Sequence, residues 1–166
     1  MQDNLPNRKA LRLKSFDYNT NAAYFVTICV KDRKPLLSKI NVGDGAHDVP
    51  QILLTEAGEI VEKNLLSSEK IKGVKIDSYV IMPDHIHAII VVDLGVLNGT
   101  SKAPSPTNQA LPHVVSTFKR FCNKQLGCNI FQRGYLEHVI RDEEDYLTRV
   151  NYMYENPIRK HNKGEY

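Results

Sequence analysis

Lys75–Val92 reads KIDSYVIMPDHIHAIIVV, and the pattern of that stretch decides the fold. Two strand-like runs, Lys75–Met82 and His85–Val92, are separated only by Pro83-Asp84, and a two-residue separation of strands signals a β-hairpin. Side chains two apart on a strand share a face. His85 and His87 therefore project side by side, while Ile86, Ala88 and Ile90 face the opposite layer. Neighbouring imidazoles on one strand face suit a divalent metal ion. They equally suit a pair of polar residues that hydrogen-bond locally at a strand end. A cupin-like metal site would need a further Glu and His on downstream strands, and that spacing is missing.

Around this hairpin the chain alternates strands and helices. Ala23–Lys31 (AYFVTICVK) is β-branched and aromatic, which predicts a buried strand. Leu36–Val42 and Gln51–Thr55 are shorter strand candidates flanking the turn-forming Gly43–Pro50. Thr55 is placed to cap a helix running to about Ser67, with Ala57, Ile60, Val61 and Leu65 at helical spacing. Gly95–Ala110 (GVLNGTSKAPSPTNQA) is small, polar and proline-containing, and predicts a mobile loop. Leu111–Leu126 predicts a helix whose apolar stripe is Leu111, Val114, Val115, Phe118, Phe121 and Cys122. Ile130–Ile140 supplies a further strand. Asp142–Asn156 predicts a last helix, with acidic residues at its positive end and Pro157 as its stop. The pattern is α+β: a ferredoxin-like sandwich with an antiparallel sheet and helices packed mainly on one face.

The 166 residues are expected to form a single domain, with 1–20 as a basic arm and 95–110 as the mobile loop. No apolar run is long enough for a membrane span. The N-terminal MQDNLPNRKALRLK has no apolar core of a signal peptide, so a cytoplasmic protein is expected. Cys29, Cys122 and Cys128 are odd in number and lack CxxC spacing, which argues against a disulfide framework and a zinc knuckle. The net charge of +3 is modest, but it is unevenly placed. Arg8, Lys9, Arg12 and Lys14 face a single acid, Asp3, in the first fourteen residues. Lys119, Arg120 and Lys124 occupy the polar side of the Leu111–Leu126 helix. Such clusters suit nucleic-acid phosphates or a solvated surface.

The last helix holds three tyrosines. At ~100° per residue, with Tyr146 at the origin, Val150 falls at roughly 40°, Met153 at roughly 340° and Tyr154 at roughly 80°. With Leu147 they form one stripe, which predicts that Tyr146 and Tyr154 are core. Tyr152, at roughly 240°, and Asn156, at roughly 280°, lie one turn apart away from that stripe, beside Asp145 and Arg149. Tyr152 is thus either a tyrosine held for its hydroxyl or an ordinary surface tyrosine.

Four segments, LRLKSFDYNTNAAYFVTICVKDR, SYVIMPDHIHAIIVV, FQRGYLEHVIRDEEDY and YMYENPIR, taken in this order, resemble the REP-associated tyrosine transposases. These are relatives of the single-tyrosine HUH transposases. Asp84 stands where the family commonly has Asn, and Phe131 where it commonly has Trp; neither is a catalytic position of the family. The resemblance implies a DNA nicking and joining enzyme. In it, Tyr152 is the nucleophile that forms a 5′-phosphotyrosine, and His85, His87 and Asn156 hold Mg²⁺ or Mn²⁺. Single-stranded or hairpin DNA is the implied partner, with Arg8, Lys9, Arg12, Lys14, Lys119, Arg120 and Lys124 as candidate contacts and a homodimer as the assembly common among relatives. Tyr135 has two readings, stacking on a base or packing, and Arg133, Glu137 and His138 carry no assigned role. The competing functions are a non-catalytic nucleic-acid-binding module on the same fold and a phosphodiesterase that uses water without a covalent intermediate.

Overall fold

The computed structural model describes residues 21–41, 50–93 and 107–162. The basic arm with Arg8, Lys9, Arg12 and Lys14, the turn at 43–49 and most of the expected loop at 95–110 lie outside these residues. Among the described residues, six strands and three α-helices follow in order: β1 (Asn21–Cys29), β2 (Ser38–Asn41), β3 (Gln51–Leu54), α1 (Glu56–Ser67), β4 (Val74–Ile81), β5 (His85–Asp93), α2 (Thr107–Leu126), β6 (Leu136–Ile140) and α3 (Glu143–Asn162). Strands β4-β5-β1-β6 form one antiparallel sheet, and β2 with β3 forms a separate hairpin. Without that hairpin and α3, the order is β-α-β-β-α-β with the first and third strands central, the ferredoxin-like arrangement.

The hairpin between β4 and β5 closes where the sequence puts it, with Met82 N donating to His85 O at 2.9 Å across Pro83-Asp84. Alternation on β5 and β1 then divides the molecule. Val26, Ile28, Val30, Ile86, Ala88, Ile90 and Val92 face α1 and α2, meeting Val61, Leu65, Leu111, Val114, Val115, Phe118 and Cys122 in the larger core. Ala23, Phe25, Ile89 and Val91 face the other way, against Tyr146, Val150 and Met153 of α3. Among the described residues, two helices therefore cover one face and the tyrosine helix covers the other. Strand β4 changes parity part-way, because a bulge lies between Ile76 and Ser78. The extra residue, Asp77, accepts a hydrogen bond from Tyr146 Oη at 2.7 Å.

Helix α1 begins as expected: Thr55 Oγ1 accepts from Gly58 N at 3.1 Å. The helix also sits tightly on the chain before β2. A Cβ on Gly58 would lie 2.0 Å from the Leu37 carbonyl oxygen, so only glycine fits there.

Four expectations need correction. Residues 107–110, expected in the loop, form the first turn of α2, even though Pro112 inside that helix removes one backbone bond; Ala110 packs against the larger core and supports the turn. Pro157 does not stop α3, which continues to Asn162; its ring is buried, so packing compensates for the missing rung. Phe121 lies on the margin of its stripe and is 44% exposed. Tyr154, expected in the core, is 62% exposed. It stands at the edge of the α3 stripe, while Tyr146 is buried as expected.

Candidate active site

The site lies on the α3 face of the sheet, where β5 begins. His85 and His87 do share that face, and both are buried. Their Nε2 atoms are 3.1 Å apart. The opposite ring nitrogen of each is fixed by a neighbour: His85 Nδ1 lies 2.6 Å from Asp84 Oδ1, and His87 Nδ1 lies 2.8 Å from Thr27 Oγ1. A carboxylate can only accept, so His85 carries its proton on Nδ1 and presents Nε2 as a lone pair. Thr27 sits opposite His87 in the β1–β5 register, which is why its hydroxyl reaches that ring. The hydroxyl can donate or accept and so tolerates either tautomer of His87.

Asp84 is itself anchored. Its Oδ2 pairs with Arg33 Nε at 2.7 Å. Arg33 is brought there by a tight turn in which Asp32 and Arg33 both adopt left-handed backbone angles, φ 57° and 55°, a sparsely populated conformation for side chains of this kind.

Helix α3 supplies the remaining parts. Asn156 is buried, with its amide nitrogen 3.2 Å from His85 Nε2. Rotating the amide exchanges its nitrogen for its oxygen at that position. Tyr152, one turn earlier, is 39% exposed. Its ring meets His87 edge-on with centroids 5.3 Å apart. Phe25 organises the group from below: it stacks on His87 at 5.1 Å and meets Tyr152 edge-on at 6.1 Å. Tyr152 and Asn156 thus converge on the two histidines, one with its ring and the other with its amide.

The other tyrosines are occupied differently. Burial, and then the hydrogen bond to Asp77, raises the pKa of Tyr146 far above its ordinary value and keeps its hydroxyl protonated. Tyr154 projects to solvent and has no ring contact with either histidine.

Could these residues hold a metal? Among the described residues no group of three His, Cys, Asp or Glu gathers as a metal site; the third donor here is an amide. Neighbouring ligands of an octahedral ion with bonds of ~2.1 Å lie about 3 Å apart. The 3.1 and 3.2 Å separations among His85, His87 and Asn156 match that spacing. The donor chemistry fits a divalent ion of the first transition row at least as well as Mg²⁺, which prefers oxygen.

The three described candidate DNA contacts are not gathered at this site. Lys119, Arg120 and Lys124 belong to α2, across the sheet from Tyr152. Lys119 directs its ammonium at the backbone oxygens of Gln132 and Gly134, at 2.8 and 2.7 Å, and burial lowers its pKa. It therefore ties down the chain before β6. Arg120 and Lys124 are exposed. With Arg133, Gln132 and Tyr135 in its wall, a groove of about 610 Å³ runs between α2 and residues 129–135. Tyr135 packs against the larger core with Lys119 Nζ 5.9 Å from its ring centre.

Sequence reasoning missed Phe25, Thr27 and Arg33, and it left His138 without a role. His138 lies opposite Phe25 in the β1–β6 register and donates from Nε2 to Asp145 Oδ2 at 2.7 Å. Arg149 Nε donates to the other oxygen of Asp145 at 3.1 Å. Burial works to raise the Asp145 pKa, but these hydrogen bonds outweigh it and hold the carboxyl below its ordinary value.

The fold agrees with that of a known protein. A solved structure of a REP-associated tyrosine transposase bound to a REP hairpin superposes with a TM-score of 0.56 at 20% identity, covering 83% of this chain and 67% of the other. A REP-associated tyrosine transposase of Escherichia coli is 26% identical over 107 residues, 64% of this chain and 58% of that protein. The chain belongs to the REP-associated tyrosine transposase family. A further relative of this transposase-family chain, an uncharacterised protein of Haemophilus influenzae, is 31% identical over 167 residues, 92% of this chain and 89% of the relative. No protein-family model matches the chain. As in the sequence, so in the described residues of this family member: no helix is long and apolar enough to cross a membrane.

Proposed function

We propose that the chain is a divalent-metal-dependent endonuclease and strand transferase for single-stranded DNA, with Tyr152 as the nucleophile. The observation that carries this reading is the convergence of Tyr152 and Asn156, one helical turn apart, on the paired Nε2 atoms of His85 and His87. The solved relative is bound to a REP hairpin, which makes hairpin-bearing single strands the substrate to test first.

His85, His87 and Asn156 would hold Mg²⁺ or Mn²⁺, which supplies charge at the scissile phosphate when bound. Asp84 and Thr27 keep the two imidazoles in the orientation that directs Nε2 at the site. Phe25 holds the Tyr152 ring beside them. The Tyr152 oxygen attacks the phosphorus, an O–P bond forms, and the bond from phosphorus to the 3′ oxygen breaks. The phenolic proton is lost and the departing 3′ oxygen gains one, leaving a free 3′-OH and a 5′-phosphotyrosine. The new diester keeps the energy of the old one, so attack by another 3′-OH reverses the step and joins the strands. Tyrosine and histidines meet within one chain, so this chemistry needs no second copy.

The test is incubation with labelled single-stranded hairpin DNA and Mn²⁺, followed by denaturing electrophoresis. The expected result is a protein–DNA adduct that is absent with EDTA. Binding without any adduct would favour the non-catalytic module, and cleavage without an adduct would favour hydrolysis by water.

A further inference from the structure

At ~100° per residue, Asp145, Arg149, Tyr152 and Asn156 fall within roughly 60° of one another around α3. Asn156 lies a turn beyond Tyr152, at the histidines, and Arg149 lies a turn before it. The Arg149 guanidinium rests over the Phe25 ring, 5.7 Å from its centre, the same ring that stacks on His87 and meets Tyr152. Arg149, Tyr152 and His87 therefore share one aromatic platform.

The guanidinium is held but not used up. Asp145 accepts from Nε alone. Arg149 Nη2 lies 3.3 Å from His138 Nε2, yet that nitrogen already carries the proton it donates to Asp145 at 2.7 Å. Two donors facing each other make no hydrogen bond. Among the described residues the two terminal nitrogens of Arg149 thus meet no acceptor, and the side chain is about one-third exposed, at 32%. A planar fork fixed at its Nε edge, with its outer donors open, is organised for phosphate oxygens.

We infer that Arg149, positioned by Asp145 and His138 over Phe25, binds a backbone phosphate of the single strand whose scissile bond lies at Tyr152. The site this occupies is an electrostatic extension of the one proposed above, on the side of Tyr152 away from Asn156. The inference rests on that reading for the location of the strand, but its test needs no cleavage.

Two measurements decide it. In the first, a fluorescently labelled single-stranded hairpin DNA is titrated with full-length Tyr152→Phe protein in EDTA at several salt concentrations. Arg149→Gln in that background should lower the slope of log affinity against log salt by about 0.7, the contribution of one phosphate contact on a single strand, and Arg149→Lys should restore it. An unchanged slope in Arg149→Gln overturns the inference, as does affinity lost in both variants with the slope intact, which would mark a structural role. In the second, wild-type protein is labelled with phenylglyoxal and the Arg149 peptide is followed by mass spectrometry. Single-stranded DNA should protect Arg149, and labelling indifferent to DNA overturns the inference even if the variants misfold. A slope change together with no adduct in wild type would contradict the proposed chemistry and leave this phosphate contact standing. An adduct with no slope change would do the reverse.

Discussion

The two faces of the sheet are built from the same strands and do different work. On the α1/α2 side Val26 and Ile28 of β1 and Ile86, Ala88, Ile90 and Val92 of β5 enter a large apolar core with no polar side chain from β5. On the α3 side the apolar cluster is smaller, and where β5 begins it gives way to His85, His87, Asn156 and the half-exposed Tyr152. One face concentrates stability, and the other spends part of its burial on groups that need partners. Strand alternation makes this division possible at single-residue resolution, since Ile86 and His87 are neighbours in sequence and belong to different layers.

The largest effect should come from the polar face. His85→Ala or His87→Ala should reduce adduct formation to background, and EDTA should do the same to the parent, with Mn²⁺ restoring it. Each histidine change should cost about 1–3 kcal/mol of stability, the scale of buried polar groups left without a partner, as read by denaturant unfolding. The apolar face should behave in the opposite way. Phe118→Ala removes a buried aromatic ring packed on Phe131 and should cost about 3–5 kcal/mol, while the adduct rate per folded molecule stays at the parent value. If Phe118→Ala impairs chemistry as much as folding, the two faces are not separable in the way described.

Gly58→Ala tests a third kind of dependence. The Cβ would meet the Leu37 carbonyl oxygen at 2.0 Å, so α1 must move away from the β2 approach. The expected loss is about 1–3 kcal/mol, with a neutral or stabilised variant contradicting the close approach. The smallest effect concerns Asp145. Its pKa is lowered in the folded state, so its contribution to stability is present above the ordinary value of 3.8 and is lost as pH falls through the lower folded value. Asp145→Asn should therefore be less stable than the parent at neutral pH and converge with it in acid. A gap that stays constant down through that range would show that the carboxylate charge is not what matters.

Much of this division was legible in the sequence. The His-x-His spacing on a strand assigned the face of both imidazoles, and the helical period separated Tyr152 and Asn156 from Tyr146. The helical period failed at Tyr154 because a wheel shows direction but not burial at the margin of a stripe. It failed at Pro157 because a proline's local penalty can be outweighed by packing that only the folded chain supplies. Phe25, Thr27 and Arg33 were illegible for a related reason. Their roles depend on the β1–β5 register and on a left-handed turn at Asp32-Arg33, and neither leaves a periodic signal. Lys119 looked like a surface charge because its partners, the carbonyls of residues 132–134, have no signature in sequence.

The central claim is that one of three tyrosines on α3 is the nucleophile, and that its neighbours select it. The direct measurement is peptide mapping of the covalent protein–DNA complex, formed with labelled single-stranded hairpin DNA and Mn²⁺, in the parent, Tyr152→Phe and Tyr154→Phe proteins. The account predicts the nucleotide on Tyr152 alone, its loss in Tyr152→Phe with the fold retained, and its persistence in Tyr154→Phe. A nucleotide on Tyr146 or Tyr154, or an adduct that survives in Tyr152→Phe, would contradict it.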